Sequence, residues 1–131
     1  MSASCFERWQ AILENRPGHW GVRDVKRGLI FRNRAAREMW QFGDHEPKVM
    51  GANSALNLMY HLDVDKEETA FSRTLKTGQP QWVDIRVKFD LVHLTWVTLF
   101  FGAVACANCT NGKPCGLVLE LLQPREPSEG N

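Results

Sequence analysis

The chain has 131 residues, 44% of them apolar, with 16 Lys plus Arg set against 15 Asp plus Glu. That length suits one domain able to bury its own core, and the composition excludes a disordered chain. A net charge of +1 leaves no overall field to hold the protein on nucleic acid or an anionic membrane, so neither is expected as a direct partner.

The longest apolar run, residues 97–107, is far shorter than the ~20 residues of a spanning helix. Glu7 and Arg8 interrupt what would have to be the greasy centre of a signal peptide. A cytoplasmic protein with reduced thiols is expected.

Ser4-Cys-Phe-Glu7 has the spacing of a capping box and opens an amphipathic helix. Phe6, Trp9 and Leu13 share its apolar stripe, and Pro17-Gly18 ends it. Strands are predicted over 19–24 and 29–33, joined by Val25-Lys-Arg-Gly28 as a hairpin in which Gly28 supplies the positive φ. Asn33 caps the next helix, where Ala36, Met39 and Trp40 fall at i, i+3 and i+4. A polar loop over 43–51 precedes a short helix from Asn53, with Ala55, Leu58, Met59 and Leu62 on one face.

Asp65-Lys-Glu-Glu68 opens a third helix that turns Phe71, Thr74 and Leu75 inward and stops at Gly78, before Pro80. Residues 82–89 then alternate strictly: Val83, Ile85, Val87 and Phe89 on one face, Asp84, Arg86 and Lys88 on the other. A long aromatic and β-branched strand is predicted over 93–106, a turn at Asn111-Gly112, and a last strand over 116–122. The domain boundaries expected are a flanking helix over 1–16, a folded unit over 17–124, and a disordered tail or linker over 125–131.

Segregated helices and strands imply an α+β fold: a five-stranded antiparallel sheet with short helices on one face and the N-terminal amphipathic helix beside it. Along the long strand Leu94, Trp96 and Phe100 alternate with Val97, Leu99 and Phe101, so both faces are apolar and both require cover. The short helices supply one cover. The N-terminal helix or a second copy of the chain supplies the other, which makes Phe6, Trp9 and Leu13 the predicted homodimer interface.

Cys106, Cys109 and Cys115 form C-x-x-C-x5-C, a spacing suited to zinc or to thiol exchange. No fourth ligand follows at a standard interval, and Cys5 joins only through a tertiary contact, so a turn without metal is expected. His45, His61 and His93 sit at polar or exposed positions of the pattern. Arg23, Lys26, Arg27, Arg32, Arg34 and Arg37 crowd the hairpin, a solvated face that also suits an acidic partner or the anionic end of a ligand.

The run Asp24-Val-Lys-Arg-Gly-Leu-Ile-Phe-Arg-Asn33-Arg-Ala35-Ala36 resembles the PAS domain family, in which an Asp, a turn with Gly, a short apolar strand and an Asn open a helix. Asp63-Val-Asp65, followed by Phe71, Leu75 and Thr77-Gly78-Gln-Pro80, is similar to the long helix that the family places before its last three strands. The resemblance covers about residues 17–124. On the residues alone, Asp24 and Asn33 read as structural: a side chain accepting turn N–H groups, and a helix cap.

The resemblance implies a sensory or regulatory module of signal transduction or transcription, holding a small ligand between sheet and helices. It also implies a homodimer and a downstream effector domain or protein as partners. The predicted pocket is Phe31, Trp40, Leu58, Met59, Phe71, Leu75, Trp96 and Phe100, a set that equally describes a packed core. The cofactor stays unknown: the Gly-Arg-Asn-Cys motif of the flavin photosensors is absent, and no histidine is well placed as a haem ligand, so a colourless protein is expected. The alternative reading is a ligand-free homodimerisation module. Catalysis is not expected, because Asp84 lies on a polar face and Asp90 at a strand end, neither in an apolar pocket that would tune an acid or base.

Overall fold

The computed structural model describes residues 5–39, 49–51, 59–88, 92–104 and 116–124. In chain order these form α1 (Cys5–Leu13), β1 (His19–Asp24), β2 (Leu29–Arg32), α2 (Arg34–Met39), β3 (Val49–Gly51), a 3-10 turn (His61–Asp63), α3 (Val64–Thr77), β4 (Gln81–Val87), β5 (Thr95–Ala103) and β6 (Leu117–Pro124). Among the described residues six strands make one antiparallel sheet in the order β3-β2-β1-β6-β5-β4.

The α+β sheet is therefore as expected, with one more strand than predicted. β3 is three residues long, too short to display a period of two, and it is recruited by pairing Val49 with Phe31. The helix expected from Asn53 lies outside the described residues until Met59, which bridges to Val87. Phe89, the Asn111-Gly112 turn and the 125–131 tail also lie outside them.

The hairpin between β1 and β2 forms where the pattern placed it. Asp24 pairs with Leu29, Gly28 takes φ 66, and Asp24 Oδ1 accepts the Arg27 N–H at 3.2 Å. Gly21 answers a different need, since a Cβ there would stand 2.8 Å from the Phe31 carbonyl oxygen. Asn33 caps α2 through Oδ1, which accepts the Ala36 N–H at 3.0 Å. α3 begins at Val64 rather than Asp65 and ends at Gly78, whose N–H donates to the Thr74 carbonyl.

Two cores lie on opposite faces of the sheet. On the inner face Ile85, Val87, Val97, Leu99, Phe101 and Val118 pack beneath Ala70 and Phe71 of α3. On the outer face Phe6 and Leu13 of α1 pack on Val22, Phe31, Val104 and Leu117. The chain thus supplies the second cover itself, over β1, β2 and β6. α1 is nine residues, about 13 Å long, while six strands at ~4.8 Å spacing extend about 24 Å. The cover stops short of β4 and β5, where Trp82 is 63% exposed and Trp96 43%.

Candidate functional site

β1 and β6 lie side by side at the middle of the sheet, with Gly21 opposite Glu120 and Arg23 opposite Val118. Arg23 and Glu120 are therefore diagonal neighbours on the inner face. Glu67 comes down onto them from the first turn of α3, on the same helical face as Ala70 and Thr74. One guanidinium nitrogen, Arg23 Nη2, meets Glu67 Oε1 at 3.1 Å and Glu120 Oε1 at 2.5 Å. Phe71 stacks on the guanidinium at 4.4 Å, and Phe101 lies 5.8 Å away.

This cluster forms the polar wall of a cavity of about 50 Å³ between the sheet and α3. Ile30, Met59, Ile85, Val87, Leu99 and Leu122 supply the apolar wall, and His19 and Arg32 also reach it. Burial pushes the Glu67 carboxyl above the usual carboxylate range, and the Glu120 charge adds to this, although Arg23 pulls the other way. Burial also works against the Arg23 charge, yet Glu120 and Glu67 outweigh it and keep that pKa above its ordinary value. Two carboxylates on one cation are an unbalanced arrangement in an apolar setting. Among the described protein atoms, Glu67 Oε2 and Arg23 Nε have no hydrogen-bond partner.

A second polar cluster closes the free edge of β4. Asp63 does not cap α3 with its side chain. Its Oδ2 accepts the Arg86 backbone N–H at 2.7 Å and Arg86 Nε at 2.9 Å, while Oδ1 accepts Arg86 Nη2 at 2.8 Å. The Tyr60 N–H donates to the Arg86 carbonyl at 2.8 Å, so both outward backbone groups of Arg86 are satisfied. The hydrogen bonds from Arg86 hold the Asp63 carboxyl below its ordinary range, despite its burial. The Arg86 guanidinium lies 4.2 Å from the Tyr60 ring and 4.8 Å from Trp96, and Lys66 of α3 sits 5.4 Å over the same Trp96.

The predicted pocket residues divide between the two faces. Met59 lines the cavity, and Phe71 stands beside it on Arg23. Phe31 is buried on the opposite face, beneath α1. Trp96 and Phe100 also belong to the outer face: Trp96 is opposite Arg86, and Phe100 is opposite Trp82, ring centroids 5.1 Å apart. Leu75 is exposed on α3 instead of turned inward. Trp40 and Leu58 lie outside the described residues.

The residues of the predicted interface lie on the outer face of the sheet. Phe6 and Leu13 are buried against the chain's own sheet, and Trp9 is half-buried beside them. α1 folds back onto the sheet rather than projecting from it. Three of the six basic residues form ion pairs: Arg23 with Glu67 and Glu120, Arg27 with Asp24, and Arg37 with Glu14 at 2.8 Å. Cys106, Cys109 and Cys115 fall outside the described residues, and Cys5 is half-buried. Among the described residues no group of three His, Cys, Asp or Glu side chains is placed to hold a metal.

Sequence reasoning passed over Arg23, Glu67 and Glu120 as site residues. A signal existed: Glu120 breaks the apolar run of β6 at a position whose register neighbours face inward, and Glu67 shares its helical face with Ala70 and Thr74.

No protein-family model matches the chain, and no curated protein does. Solved structures do match. The Rhodobacter sphaeroides LOV protein superposes with a TM-score of 0.70 at 16% identity, covering 95% of this chain and 70% of that one. The PAS domain of a Colwellia psychrerythraea protein gives 0.66 at 10% identity, covering 93% and 98%. The chain has the PAS fold. A sensory box histidine kinase/response regulator from Burkholderia thailandensis shares this PAS fold at a TM-score of 0.64 and 14% identity, over 89% of this chain and 83% of that one.

Within this PAS fold the cavity tests which cofactor the residues admit. A volume of about 50 Å³ is far less than a flavin ring system or a porphyrin occupies. Among its described lining residues there is no cysteine, while His19 and Met59 are the residue types that can ligate a haem iron. The volume bounded by the described residues is smaller than either large cofactor.

Proposed function

We propose that the chain is a cytoplasmic sensory module with the PAS fold: it binds a small ligand in the inner cavity and relays occupancy to the outer face of the sheet. The reading assigns binding and relay, not catalysis. Its main support is the placement of α3, whose consecutive residues Lys66 and Glu67 reach opposite sides of the fold. Glu67 stands in the cavity wall, and Lys66 lies over Trp96 at the exposed aromatic patch. A ligand that moves Glu67 moves the helix that touches that patch. The patch, Trp82, Trp96 and Phe100, is where a second copy or a downstream effector would read the change. Among the described residues no helix is long and apolar enough to cross a membrane.

Native mass spectrometry of the purified protein, followed by hydrogen exchange with and without the ligand it carries, tests this reading. A bound small molecule, with exchange changing at both the 64–77 helix and the 95–103 strand, is the expected result. Exchange confined to the cavity wall would overturn the relay. The second reading, a ligand-free dimerisation module, is favoured by the exposure of Trp82 and Trp96, and a dimer whose cavity holds only water would establish it in place of the first.

A further inference from the structure

We propose that the cavity between the sheet and α3 binds a short primary ammonium ion carrying a hydroxyl group, of the amino-alcohol class, with Glu67 Oε2 as its charged acceptor and Arg23 Nε as donor to its hydroxyl. This names the ligand class for the sensory reading above and rests on it.

Three observations carry the assignment. Charge comes first. Arg23 Nη2 is shared by Glu67 and Glu120, so the cluster holds two carboxylates against one guanidinium. Arg32, from β2, also reaches the cavity but has a partner of its own, and His19 of β1 is the remaining titratable side chain on the wall. An anion would meet the two carboxylates, whereas a cation completes the balance.

Hydrogen bonding is the second observation. Glu67 is 1% exposed, and its Oε2 has no donor among the described protein atoms, while Arg23 Nε has no acceptor. A buried polar atom left unpaired is costly, so a ligand bringing both an N–H and an oxygen repairs both defects. Size is the third. A cavity of about 50 Å³ restricts the ligand to a few heavy atoms, and an ammonium, two methylenes and a hydroxyl are a ligand of that order. The methylenes face Ile85 and Leu99.

Isothermal titration of the purified full chain at neutral pH tests this with ethanolamine hydrochloride, against a matched sodium chloride blank. One saturable site per chain is expected, severalfold weaker for ethylamine, which lacks the hydroxyl, and undetectable for ethylene glycol and for acetate. Glu67→Gln keeps an oxygen for Arg23 but loses the charge, and should weaken ethanolamine at least tenfold while circular dichroism shows a folded protein. Wild-type affinity should also fall as pH drops, because a protonated Glu67 no longer offers its charged oxygen. No saturable ethanolamine heat, equal affinity in folded Glu67→Gln, or a wild-type affinity flat with pH would each overturn the assignment. Should ethanolamine fail while mass spectrometry finds another small ligand bound, the ligand class falls and the sensory reading stands.

Discussion

Asn33 is fully buried and uses every hydrogen-bonding group it has. Its Oδ1 accepts from the Ala36 N–H and, at 3.2 Å, from the Trp20 N–H. Its Nδ2 donates toward the Leu13, Arg16 and Gly18 carbonyls at 2.9–3.1 Å, tying the end of α1 to the start of β1 and α2. Losing the cap costs about 1 kcal/mol, and leaving buried carbonyls without a donor costs about 1–3 kcal/mol more. Asn33→Ala should therefore lose about 2–4 kcal/mol in urea denaturation. Asn33→Asp separates the two roles, since it keeps the cap and replaces the donor with an acceptor facing carbonyls. It should be at least as damaging as alanine, and near-wild-type stability would show that the tie to α1 contributes nothing. The cap was legible in the chain because it acts three residues away. The tie was not, because it joins residues 15–20 apart that only the folded sheet brings together.

At the scale of elements, α3 and the β4 edge are joined by Asp63, which the sequence placed only within a motif of resemblance. A free edge strand invites pairing with other chains, and here the carboxylate and the Tyr60 N–H occupy its outward groups. The lowered Asp63 pKa fixes the sign of the pH dependence. This contribution is fully present above the usual carboxylate range, about pH 4, and is lost as pH falls through the depressed folded value. Asp63→Asn should flatten the acid side of a melting-temperature profile and speed exchange of the Arg86 amide. An unchanged acid limb with unchanged Arg86 exchange would remove Asp63 from this role. Glu67, four residues further on in α3, has the opposite sign, because its raised pKa makes stability fall as pH rises through the folded value. The 3-10 turn and the helix that follows it thus carry two carboxylates whose contributions to stability have opposite pH dependence.

Across the whole molecule, the outer face is divided. α1 buries Phe6 and Leu13 over β1, β2 and β6, and leaves Trp82, Trp96 and Phe100 over β4 and β5. Exposed aromatic side chains of this kind mark a candidate interaction surface. If a second copy docks there, Trp82→Ser with Trp96→Ser should convert a dimer to a monomer in sedimentation velocity, with little change in melting temperature. A wild-type monomer, or a dimer that survives the double substitution, would move the interface elsewhere. Truncating α1 should act differently, exposing a core that the chain covers itself and lowering stability whatever the oligomeric state.

Local periods were enough to read β1, β2, β4, β5 and the long helix to within two or three residues, since alternation and turn chemistry act between near neighbours. They also showed that β5 is apolar on both faces. What they could not assign was which face Phe31, Trp96 and Phe100 would occupy, because the parity of a strand becomes inside or outside only when β1 pairs with β6 and α3 settles on one side. The same long-range pairing creates the Arg23, Glu67 and Glu120 cluster from three elements separated by 44 and 53 residues. Charges so far apart in the chain have no local pattern to announce them, and the fold alone sets them around one cavity.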